Sequence, residues 1–121
     1  MSRVVHFEIP ANDPEKVMKF YQTCFGWQYT RFGQEEYWLA NTGEANTPGI
    51  NGAVMKRKDP RQPVANSIDV PNIETAMEMV KKNGGQIVVP KMAIPTVGYL
   101  AYFTDPDGNI FGLWQNDANA K

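Results

Sequence analysis

His6 and Glu8 stand two residues apart in the run Val4-Val5-His6-Phe7-Glu8-Ile9. On a strand, side chains at i and i+2 share a face. Alternation therefore puts Val4, His6 and Glu8 on one surface and Val5, Phe7 and Ile9 on the other. An imidazole and a carboxylate side by side can pass a proton, bond a polar ligand or start a cation site. The last use needs more donors than the pair supplies. Zn²⁺, Ni²⁺ or Fe²⁺ wants several N or O atoms at about 2.0–2.2 Å. His6 is the only histidine of the chain, so a site with two histidines from one chain is excluded. A carboxylate-rich site would have to add Asp69, which alternation places on one face with Ser67 and Ala65.

The second stretch with chemical interest is Tyr102-Phe103-Thr104-Asp105-Pro106-Asp107-Gly108-Asn109-Ile110-Phe111-Gly112-Leu113-Trp114-Gln115. Asp105-Pro106-Asp107-Gly108 is turn chemistry: Pro fixes φ, Asp bonds nearby backbone and Gly accepts positive φ. The strand that leaves the turn has Gly112 at its centre. A glycine inside a strand marks close approach by a ligand or by another part of the protein. Trp114 shares a face with Ile110 and Gly112, while Phe111 and Leu113 take the other. The expectation is that Gly112 leaves bare backbone open to a ligand or a neighbouring ring, with Trp114 as the first candidate. Trp38 and Tyr102 are expected as further walls, with Tyr99 and Phe103 as the alternative to Tyr102. An apolar pocket with a few polar anchors is the usual make-up of a small-molecule site.

Nothing else forms a catalytic set. Cys24 lies on an apolar helical stripe and reads as a small core residue. No Ser/His/Asp arrangement is suggested by spacing. Gly49-Ile50-Asn51-Gly52 lacks the glycines and the context of a phosphate loop. Lys56-Arg57-Lys58 is short, runs into Asp59-Pro60 and reads as a solvated loop.

Two similar sets of elements position these residues. After the first strand, Asp13 is a candidate N-cap, Pro14 fits the first helical turn and Glu15 suits the positive helix end. Val17, Phe20, Tyr21 and Cys24 make the stripe, and Gly26 ends the helix. Strands are expected at 27–31, 36–40 and 50–56, the last two separated by a turn-rich loop. The plan then restarts with a strand at 66–70. Asn72 caps a second helix with the stripe Ile73, Ala76, Met77 and Val80, and Gly84 stops it. Strands follow at 86–89, 99–103 and 110–114, with a loop over 91–98. The order is βαβββ twice, Gly26 corresponding to Gly85 and His6 to Ala65. The fold class is α+β: two βαβββ modules, about 1–58 and 62–116, form one domain. Each is a curved mixed sheet with a helix on one face and a concave cleft on the other. The polar tail 117–121 is expected to fray.

This pattern resembles the vicinal oxygen chelate superfamily, which includes glyoxalase I, bleomycin-resistance proteins and extradiol dioxygenases. The matching residues are His6, the Phe20-Tyr21 pair, Cys24-Phe25-Gly26-Trp27, and Thr104-Asp105-Pro106-Asp107-Gly108-Asn109. The resemblance covers nearly the whole chain and speaks for the fold rather than for one activity. It implies a cleft that in metal-dependent relatives holds a divalent ion on four positions. Those positions correspond here to His6, Gly52, Ala65 and Gly112, the last where metal enzymes usually carry Glu. One possible ligand is kept and three are lost. The resemblance also implies a homodimer.

With 121 residues, a net charge of −1 and a single cysteine, the chain suits one domain without a disulfide. The small net charge offers no field for nucleic acid or an anionic membrane, and a cytoplasmic setting is expected. The function expected is metal-independent binding of a small aromatic or apolar molecule, with no cofactor. Its candidate contacts are His6, Glu8, Trp38, Gly52, Ser67, Tyr102, Gly112 and Trp114. Two alternatives stand beside it. One is a metal-dependent lyase, isomerase or dioxygenase using His6 and Glu8. The other is a dimeric interaction module whose groove holds no small ligand.

Overall fold

The helix ends are made by the residues that signal them. In the computed structural model, which describes residues 1–121, α1 (Pro14–Phe25) starts on Asp13, whose carboxylate accepts the Lys16 N–H at 3.2 Å. It ends on Gly26 in the left-handed region, φ 79°, whose N–H bonds the Gln22 carbonyl. The second helix, α2 (Ile73–Lys82), starts on Asn72, whose side chain accepts the Thr75 N–H at 2.9 Å.

The strands are β1 (Val4–Ala11), β2 (Gln28–Arg31), β3 (Tyr37–Asn41), β4 (Gly52–Lys56), β5 (Ala65–Asp69), β6 (Gln86–Ile94), β7 (Gly98–Thr104) and β8 (Ile110–Asn116). With α1 after β1 and α2 after β5, the order is βαβββ twice, an α+β fold of mixed sheets. The chain divides into two compact units, His6–Val64 and Met1–Val5 with Ala65–Lys121.

Within the first unit the strand order is β2-β3-β4-β1, antiparallel except for the parallel pair β1/β4. Phe7 lies beside the Trp27 ring, and Trp27 stacks on Tyr21 of α1 at 4.6 Å between centroids. The Phe7 side of β1 is therefore the helix side. Helix α1 buries little: none of its residues is fully buried, and Phe20 and Phe25 are 56% and 65% exposed. Cys24 is also exposed, which corrects its reading as a core residue. The last turn of α1 simply carries its apolar stripe into solvent.

Within the second unit the order is β5-β8-β7-β6, again with one parallel pair, β5/β8. Val70, Ile73, Ala101 and Leu113 form its core, with Ile68, Ala76, Met77, Val80, Tyr99 and Phe103 packed around them. The expected loop over 91–98 is mostly strand. Lys91 to Ile94 continue β6, and register shifts between Ile87 and Met92 absorb Pro90, which cannot donate to the ladder. The tail is also ordered. Ala120 is 3% exposed, and its carbonyl accepts the Thr96 N–H at 3.0 Å.

Candidate functional site

In the first unit β1 carries the site. His6 and Glu8 point away from the Phe7 side, as alternation requires, and Tyr37 at the start of β3 meets them. The Tyr37 hydroxyl donates to Glu8 Oε2 at 2.6 Å and lies 2.7 Å from His6 Nε2. Both distances are at the short end for hydrogen bonds, as expected when a carboxylate anchors the chain. Glu8 is only 6% exposed. The registers explain the meeting: Glu8 pairs with Ala53, and Tyr37 pairs with Met55, two residues further along β4. Ala53, opposite Glu8 on the strand between them, carries only a methyl group. Burial pushes the His6 imidazole below its ordinary pKa, and the nearby Glu8 carboxylate pulls it partly back.

The strand pattern alone does not single out Tyr37 over its neighbour Trp38, the residue expected as a wall of the site. Trp38 lies opposite Val54 and Arg31, on the other face from Tyr37, and the Arg31 guanidinium sits 5.2 Å from its ring centre. It is not a wall for His6 and Glu8. Gly52 needs the same correction. It pairs with Phe7, and a side chain there would run into the Phe7 ring and carbonyl on the helix side. The residue that pairs with Glu8 is Ala53. Alternation along β3 pointed to either face equally; only the β3/β4 register selects Tyr37.

In the second unit, β5, β7 and β8 bring Ser67, Tyr102, Gly112 and Trp114 to the face away from the core. Ser67 and Tyr102 both pair with Gly112, and Leu100 with Trp114. Tyr99 and Phe103 instead pack on the core under α2. The expectation of open backbone at Gly112 is corrected: the room a side chain would use is already taken. A Cβ there would lie 2.7 Å from Ser67 Oγ and 3.4 Å from the Tyr102 ring. Ser67 is 4% exposed. Trp114 lies over Gly98, where a Cβ would stand 2.8 Å from the ring's Cη2, and its indole N–H bonds Asn116 Oδ1 at 2.8 Å. The turn before β8 is braced by Asp105, whose Oδ1 accepts the Asp107 and Asn109 N–H groups at 2.9 Å each. Bonds from Asn109 hold the Asp105 carboxyl below its ordinary pKa.

The donor set does not fit a divalent cation. No three His, Cys, Asp or Glu side chains converge in the structure. His6 Nε2 and one Glu8 oxygen are already engaged by the Tyr37 hydroxyl, and the space at Gly112 is filled by Ser67.

The matched family model is the Glyoxalase/Bleomycin resistance protein/Dioxygenase superfamily, over residues 3–113. A glyoxylase-like domain-containing protein of Didymella fabae is 30% identical over 112 residues, covering 88% of each chain. CFP32 of Mycobacterium bovis, which carries a provisional glyoxylase name, is 27% identical over 113 residues, 89% of this chain. The chain spans only 43% of that relative's length. Among solved structures, a variant methylmalonyl-CoA epimerase of Streptomyces coelicolor superposes with a TM-score of 0.67 at 10% identity, over 98% of this chain and 97% of that one. That likeness concerns the fold alone. The chain belongs to the glyoxalase/bleomycin-resistance/dioxygenase superfamily.

Proposed function

We propose that this family member binds a small, partly aromatic or apolar molecule without a divalent cation, using the His6–Tyr37–Glu8 chain as its polar anchor. One observation carries the reading: a phenol hydroxyl already bonds His6 Nε2 and Glu8 Oε2, and no third His, Cys, Asp or Glu side chain joins this pair. A metal on His6 Nε2 and Glu8 Oε2 would require breaking two short hydrogen bonds and leaving a buried carboxylate to be re-partnered. The test is calorimetric titration of aromatic and amphipathic small molecules into protein kept in chelator. Binding that survives chelation and weakens at least tenfold in His6→Ala is the expected result. Near-stoichiometric metal in the untreated protein, with binding lost on chelation, would sink the proposal.

The same hydrogen-bonded chain favours a second reading, an isomerase-type enzyme in which His6 moves a proton as general base. It separates from the first by turnover: solvent deuterium entering a carbon acid next to a carbonyl, at a rate that collapses in His6→Gln. For assembly and setting we propose a homodimer acting in the cytoplasm. The exposed Phe20 and Phe25 of α1 support the first part. A monomer in sedimentation equilibrium at micromolar concentration would refute it.

A further inference from the structure

Counting protons along the chain fixes what His6 offers to a ligand. Tyr37 has a single hydroxyl proton, and it is donated to Glu8 Oε2. The phenol oxygen can then only accept from His6, so the 2.7 Å contact requires a proton on Nε2. Burial favours the neutral ring. A neutral imidazole protonated at Nε2 has a bare lone pair at Nδ1. Tyr29 Oη is the one buried side-chain N or O atom without a partner. The bond to Tyr37 engages Nε2 alone, and Nδ1 is not among the buried atoms left without a partner, so its lone pair is the one this ring can offer to a ligand.

We infer that the ligand of this site is a hydrogen-bond donor, such as a phenol, enol or heteroaromatic N–H, which gives its proton to His6 Nδ1. Tyr37 and Glu8 act as positioning residues that lock the accepting tautomer. This rests on the binding reading above and narrows it. An acceptor-only ligand of the same shape would face a lone pair with a lone pair and be rejected.

The single histidine makes the test direct, because ¹⁵N spectra of the imidazole contain one ring. The probes are 4-methylphenol and its hydroxyl-to-fluorine analogue 4-fluorotoluene, added at pH 7.5. The free protein should show an unprotonated Nδ1 and a protonated Nε2. 4-Methylphenol should shift the Nδ1 signal upfield, while 4-fluorotoluene binds about tenfold more weakly and leaves it in place. In Tyr37→Phe the free ring should lose its fixed tautomer, and the phenol-induced shift should shrink. Glu8→Gln keeps an acceptor for the Tyr37 hydroxyl and should retain most of the shift. A protonated Nδ1 in the free protein, equal binding of the two probes, or an unchanged shift in Tyr37→Phe would overturn the inference. If other molecules bind in calorimetry while Nδ1 stays silent to 4-methylphenol, only this inference fails. If no small molecule binds at all, it falls together with the binding proposal.

Discussion

At the scale of single residues, Gly112 and His6 carry opposite lessons. Gly112 is bare because Ser67 needs the room. Adding one methyl group brings it within 2.7 Å of Ser67 Oγ, on a serine that is almost wholly buried. Gly112→Ala should therefore destabilise the protein by about 1–3 kcal/mol, the usual cost of overpacking. Removing the hydroxyl with Ser67→Ala leaves only ordinary contact at 3.4 Å from the Ser67 Cβ. The double variant should then recover part of the loss in urea denaturation, with a coupling of about 1 kcal/mol. Simple additivity would show that the two sites do not compete for space. His6 makes a prediction about pH. Its folded pKa is depressed by burial, so the native state prefers the neutral ring more than the unfolded chain does. The contribution is fully present above the unfolded value of about 6.5. It is lost as pH falls from there toward the lower folded value, because the unfolded state binds the proton first. The slope in that window is at most about 1.4 kcal/mol per pH unit for one group. His6→Gln should flatten this part of a stability–pH curve. An unchanged slope in the variant would assign the dependence to carboxylates instead.

At the scale of elements, the caps can be tested individually. The Asn72 side chain holds the Thr75 N–H, and Gln115 Oε1 reaches from β8 to accept the Ile73 N–H at 2.8 Å. Asn72→Ala should cost about 1 kcal/mol. Gln115→Leu should cost a similar amount, since it strands a helix donor of α2 beside a buried Ile73. Equal denaturation midpoints for Gln115→Leu and the parent would mean that water replaces the glutamine. These two residues mark the limit of what the sequence shows. Asn72 is legible because a cap is a local event, three residues long. Gln115 is not, because its partner is 42 residues away. The same division explains the site. His6 and Glu8 share a face because the strand period is two, and that is written in consecutive residues. The same rule put Gly112 and Trp114 together. Tyr37 joins His6 only through the β3/β4/β1 registers, which depend on where pairing starts and not on composition. A one-residue choice made Trp38 the candidate in its place and put Gly52 on the wrong face. Cys24 misled for a different reason: an amphipathic stripe predicts burial only if something covers it, and the last turn of α1 is uncovered.

At the scale of the whole chain, the two units repeat one plan yet are finished differently. β2-β3-β4-β1 and β6-β7-β8-β5 are the same arrangement. No helix in either is long and apolar enough to cross a membrane. The second unit adds a closing strap that the polar composition of 117–121 hid. The Asp117 N–H bonds the Val97 carbonyl at 3.1 Å, and the Ala120 carbonyl accepts from Thr96. Those bonds clamp a turn in which Thr96 holds a positive φ of 65°, an unfavourable state for a β-branched residue. The strap thus offsets local strain. Deleting 117–121 removes both bonds and uncovers what Ala120 shields, so it should cost about 1–3 kcal/mol and speed amide exchange at residues 96–98. Thr96→Gly relieves the strain at its source and should stabilise the intact chain by about 0.5–1 kcal/mol. In the truncated chain the same substitution should gain less, because there the turn can relax and the threonine no longer bears the full strain. An unchanged exchange rate after truncation would show that β6 and β7 hold the turn by themselves and that the strap is incidental.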